Sequence, residues 1–150
     1  MSSFEEILAQ DGKLIYKTKG VSMRPMLHEN RDLVVIVPPE GPLKKYDVAL
    51  YKRDKAYVLH RVIRVKEKGY LIRGDNTYAI EKVPGEAVIG VLTDFKRKGK
   101  THSVNDKGYR LYVWVWCAAY PVRWFAIKIR RKLGRIVRAT GILRKQGENK

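Results

Sequence analysis

Cysteine is nearly absent from this chain: Cys117 stands alone among 150 residues. An intramolecular disulfide framework is impossible and no cysteine-based zinc site can be built, so packing and hydrogen bonds must hold the fold together. No metal and no other cofactor is expected. Long apolar runs are missing too. The longest, Leu111 to Val122, has 12 residues between Arg110 and Arg123, short of the roughly 20 that a spanning helix requires. Ser2 to Gly12 carries two glutamates and lacks the apolar centre of a secretory leader. Neither a cleaved signal peptide nor a transmembrane helix is expected, which leaves a cytoplasmic location or a peripheral one at a membrane.

Acidic residues are scarce, 15 against 32 Lys and Arg, for a net charge of +17. Such a surplus attracts anions, either nucleic acid or an anionic lipid leaflet. It is uneven: residues 121–150 hold ten basic residues and one acid, Glu148, leaving +8 on the other 120. What is plentiful is apolar and aromatic material, 45% and 10% of the chain, enough to bury a globular core and to exclude overall disorder.

Ser3 and Glu6 form a capping-box pair ahead of Phe4, Ile7 and Leu8, predicting a short helix over about residues 3–10 before the Asp11-Gly12 turn. The pattern then changes to strands. Lys13 to Lys19 alternates, and Leu33 to Val37, Asp47 to Tyr51, Tyr57 to Val65, Tyr70 to Arg73 and Ala87 to Phe95 are rich in Val, Leu, Ile and Tyr. Six or seven strands parted by Gly, Pro, Asn and Asp turns predict a mainly β sandwich or barrel over residues 1–108. A polar stretch, Lys96 to Gly108, precedes an aromatic and basic segment, 109–150. Leu111 to Trp116 is read as a possible further strand. Val122, Phe125, Ile129, Leu133 and Ile136 stand at helical spacing among Arg and Lys, predicting a basic amphipathic helix from about Pro121 and a frayed tail after Gly141.

Three short motifs carry candidate chemistry: Gly20-Val-Ser22-Met-Arg-Pro25-Met-Leu27, His60-Arg61-Val62 and Gly74-Asp75-Asn76. A serine hydroxyl needs a base within reach, and that base gains from a carboxylate that fixes its tautomer. His60 shares a strand face with Val58 and Val62, where burial keeps an imidazole neutral. Gly20 lets backbone approach a substrate, and the Ser22 amide, beside Met23, is placed to receive a developing oxyanion. His28 and His102 are rival bases, expected to face solvent.

These boxes, in this order, resemble those of type I signal peptidases and their relatives. The resemblance covers about residues 13–95, and His60, where the usual bacterial enzymes have lysine, is similar to the Ser-His form of the archaeal and endoplasmic-reticulum enzymes. It implies a β-rich peptidase fold, Ser22 as nucleophile, His60 as general base, and carboxylates at Asp75 and at Glu81, where the family has aspartate. Arg31-Asp32 replaces a common Gly-Asp pair and is read as a surface turn. The implied substrate is an extended peptide with small residues before the scissile bond. A LexA-type peptidase that cleaves itself or one partner is the nearest alternative, although no helix-turn-helix precedes the β region. A non-enzymatic basic domain that stacks RNA or single-stranded DNA on Trp114, Trp116, Tyr120 and Trp124 is the other. Nonspecific nucleic-acid binding is expected in any case from the charge. The C-terminal helix is read as an anchor on an anionic membrane surface, with docking on the β core as the alternative.

Overall fold

The computed structural model describes residues 3–139. Helix α1, Phe4–Asp11, begins at the capping box: the Ser3 hydroxyl accepts the Glu6 N–H and the Glu6 carboxylate accepts the Ser3 N–H. It ends at Gly12, whose φ of 68° puts it in the left-handed region that glycine adopts without strain.

Eight strands follow: β1 Leu14–Lys17, β2 Leu33–Val37, β3 Val48–Arg53, β4 Ala56–Lys66, β5 Gly69–Arg73, β6 Glu81–Pro84, β7 Val88–Arg97 and β8 Lys100–Ser103. They form one antiparallel sheet in the order β1-β2-β7-β3-β4-β5-β6, with β8 on β7. The mainly β expectation holds. Two strands, β6 and β8, went unread: β6 has one apolar residue before Pro84, and β8 is polar throughout. The β8 hairpin turns on Lys98-Gly99, both at positive φ. That is the two-residue geometry of a tight hairpin, disguised by a lysine where asparagine or aspartate would announce it.

Central strand β3 explains the core. Val48 and Leu50 enter one apolar cluster with Leu14, Met26, Val34 and Ile36, while Ala49 and Tyr51 enter a second with Leu43, Val62, Ile72 and Val83. Alternate side chains point to opposite faces, so a strand covered on both sides is apolar throughout.

Leu111 to Trp116 is not a strand. It lies in helix α2, Lys107–Ala118, where Tyr109, Tyr112 and Val113 turn inward while Leu111, Trp114 and Val115 stay exposed. Inward positions three and four apart have the helical period. Helix α3, Tyr120–Ala139, follows. The chain divides into two compact units, 1–113 and 114–150, and Tyr109 and Tyr112 pack within the first. The tail after Gly141 and the side chain of Arg131 lie outside the described residues. No helix among those described is long and apolar enough to cross a membrane.

Candidate active site

His60 lies on β4 opposite Ala49 of β3, which makes Tyr51 its diagonal neighbour on the same face, within reach of a long side chain. The Tyr51 hydroxyl stands 3.2 Å from His60 Nδ1 and donates to Glu81 Oε2 at 2.9 Å. Arg53, next along that face of β3, donates to both Glu81 oxygens at 3.0 and 3.1 Å. Glu81 Oε1 is itself 3.5 Å from Nδ1. With its one proton committed to Glu81, the Tyr51 oxygen is an acceptor, so Nδ1 carries the ring proton and Nε2 the lone pair. Burial holds the His60 pKa below its ordinary value; the Glu81 charge pulls it up and Arg53 pushes it down. The imidazole is neutral at physiological pH. Burial, reinforced by the Glu81 hydrogen bond, raises the Tyr51 pKa and keeps its proton in place.

Ser22 sits in the loop between β1 and β2. Gly20 adopts φ +82°, a conformation strained for any side chain, and its N–H is taken by Glu29 Oε2 at 3.0 Å. Gly20 therefore shapes the loop and has no amide free for an oxyanion. Met23, Met26 and Leu27 are buried in the first cluster and root the loop in the core, which leaves half-buried Ser22 at its surface. Among the described residues no acceptor takes the Ser22 or Met23 amide. These N–H groups remain available to a ligand.

The Gly74-Asp75-Asn76 turn locks the loop against the imidazole. The Asn76 N–H donates to the Ser22 carbonyl at 2.7 Å, and the Asn76 side chain donates to the Val21 carbonyl at 3.2 Å. A Cβ on Gly74 would stand 2.7 Å from the Ser22 carbonyl oxygen and 3.0 Å from His60 Nε2. Serine loop and ring thus close on the same point, and only glycine fits between them. No hydrogen bond joins the Ser22 hydroxyl to the ring among the described residues. Gly74→Ala must displace one from the other, so it is expected to lower any Ser22-dependent turnover by on the order of a hundredfold, as an ångström of misplacement does. Turnover close to that of the parent protein would show that the approach is not needed.

Asp75 is not at the imidazole. It receives Arg61 through both oxygens at 2.7 Å and the Tyr112 hydroxyl at 3.0 Å. Arg61 also reaches Tyr109, the Tyr46 carbonyl and Met26. Adjacent strand residues face opposite ways, so Arg61 must point away from the face that His60 uses, and Asp75 goes with it. Its part is to pin the turn. Arg31-Asp32 is likewise no surface detail: Asp32 is fully buried, bound by Arg31 and by the His28 N–H. Burial opposes its charge, yet these donors still hold its pKa low. The rival histidines do not face solvent freely. His28 is half-buried and His102 stacks on Phe95, and neither lines the cleft.

That cleft, about 600 Å³, gathers Gly20, Ser22, Met23, His60 and Glu81, with Arg53 at its rim and Phe4, Tyr16 and Tyr57 as an aromatic wall. It is of a size to bind a small ligand or a few peptide residues. Tyr51 and Arg53 were missed in the sequence, and Gly74 was named there only as part of its turn; a tyrosine two residues along a neighbouring strand is visible as a partner only once the register is known. Among the described residues no group of His, Cys, Asp and Glu could hold a metal ion. Comparison with protein-family models and with curated proteins finds no match to this chain.

Proposed function

We propose that this protein is a serine endopeptidase of the signal-peptidase type, with Ser22 as nucleophile and His60 as base. The observation that carries the reading is the imidazole: Nδ1 is held by Tyr51 and Glu81, while Nε2 lies against Gly74, beside the Ser22 carbonyl, in a ring that lines the cleft. Nε2 takes the proton as Ser22 Oγ attacks the scissile carbonyl, and the Ser22 amide receives the developing oxyanion. The imidazolium returns the proton to the departing amine. Water, deprotonated in the same way, then releases the acyl group. The contact between hydroxyl and ring tightens when substrate occupies the cleft, as catalytic hydrogen bonds commonly do.

An extended peptide suits the architecture. β1 is an edge strand. The Thr18 N–H and carbonyl are used by Asp32 and Asn30, so alternation turns the backbone groups of Lys17 and Lys19 to the open side, beside the cleft. A peptide strand added there leads directly to Ser22. The preference for small residues before the cleaved bond comes from the family resemblance.

The pH profile tests the base. His60 is active only when neutral, so the rate is expected to rise with pH along a limb centred below about 6.5, the ordinary histidine value. Glu81→Gln removes the charge that favours imidazolium and moves the limb to lower pH; Arg53→Gln moves it to higher pH. Tyr51→Phe releases Nδ1 and lowers kcat more than it raises KM. A limb centred near lysine values, unmoved by Glu81→Gln, would assign the base elsewhere.

A further inference from the structure

We propose that α3, with the end of α2 from Trp114 onward, forms a docking surface for an anionic lipid bilayer, on which it lies without crossing. Helix α3 has the required section. At 100° per residue, Phe125, Ile129, Leu133, Ile136 and Val122 fall on one stripe, with Lys128 and Lys132 on one flank and Arg123 and Arg130 on the other. The five apolar residues are 44 to 74% exposed. Trp114 and Val115, at the end of α2, are equally open, and no charged residue interrupts the chain from Trp114 to Val122.

Charge selects the occupant. Residues 114–139 hold seven Lys and Arg and no acid, so a second copy of α3 laid along the first would bring cation against cation. A nucleic acid would satisfy the cations and leave the apolar stripe in water. An anionic leaflet satisfies both, because apolar side chains enter the headgroup boundary while flanking Lys and Arg reach the phosphates. Trp114, Trp116, Tyr120 and Trp124 are the residue types that settle at that boundary. Arg123 lies 3.5 Å over the Trp116 ring and Lys128 4.6 Å over Trp124, which places indole and cation together at one depth. Seven cations within a helix of 20 residues exclude burial across the hydrocarbon.

Flotation of the full chain with vesicles decides the matter, and it needs no peptidase activity. With phosphatidylcholine vesicles containing about a third phosphatidylglycerol at ~0.15 M salt, most of the protein is expected in the floating fraction, with a blue shift of tryptophan fluorescence. Pure phosphatidylcholine should retain at least about tenfold less. Ile129→Glu with Leu133→Glu alters only exposed positions and should lower partitioning on the order of a hundredfold at unchanged melting temperature. Arg130→Gln with Lys132→Gln and Arg135→Gln should reduce the dependence on phosphatidylglycerol. Absence of flotation overturns the proposal. So does undiminished flotation of the double glutamate variant, or binding confined to RNA, or a concentration-dependent dimer that the glutamates abolish without any vesicle binding.

Discussion

Ser22→Ala is expected to abolish peptide hydrolysis, by on the order of a thousandfold to a millionfold, while leaving the melting temperature in place. The stability part follows from the site: the Ser22 hydroxyl makes no hydrogen bond among the described residues, and the loop is held by the Met23, Met26 and Leu27 side chains and by Asn76. Its loss costs less than about 0.5 kcal/mol. His60→Ala is expected to cost as much activity, and also about 1–3 kcal/mol of stability, since it empties a buried position and leaves Tyr51 without its ring partner. Nucleophile and base act as a unit, so the double variant should be no slower than either single one. A peptide-based acylating inhibitor supplies the direct measurement. Mass spectrometry should find the adduct on Ser22, none on Ser22→Ala, and slow formation on His60→Ala. Hydrolysis by Ser22→Ala at the parent rate would end the peptidase reading.

Asp75→Asn is expected to have the largest effect on stability. Arg61 and Asp75 are an ion pair with side chains 1 and 3% exposed. Removing one charge strands the other in a low-dielectric interior, at a cost of about 3–5 kcal/mol. For a domain of this length that is roughly 10 °C or more in melting temperature. The amide keeps the shape of the carboxylate, so the loss reports charge and not a cavity. Arg61→Met combined with Asp75→Asn should recover much of it, because no unpaired charge then remains. Tyr112→Phe removes a single hydrogen bond to Asp75 and should cost about 1 kcal/mol. Activity should fall in Asp75→Asn through the loosened turn beneath Ser22, with the pH limb moved to lower pH by less than Glu81→Gln moves it. A variant that melts like the parent but shifts the limb more than Glu81→Gln does would return Asp75 to the imidazole.

A second ion pair shows how much less a partly exposed carboxylate matters. Glu5 is held by the Tyr57 hydroxyl and then by Lys52, and its pKa is lowered to about 2. Its stabilising contribution is present above the ordinary carboxylate range and is lost as pH falls toward 2. Lys52 is about half exposed and Glu5 about a third, so solvent screens the gain.

Local signals were legible without the structure. The capping box of α1, the apolar runs of β2, β3 and β4 and the amphipathic period of α3 are written in neighbouring residues, because caps and side-chain periods depend on positions a few places apart. So was the order of the serine, histidine and Gly-Asp-Asn boxes. The division of labour between the two carboxylates was not legible. Asp75 and Glu81 are six residues apart and chemically alike, yet one meets Arg61 and the other His60. Sheet register decides it, by turning consecutive residues of β4 to opposite faces and bringing Tyr51 beside the ring, while the packing of α2 brings Tyr112 beside the turn. The need for glycine at position 74 arises in the same way, from the approach of two segments that the chain keeps far apart and only tertiary packing presses together.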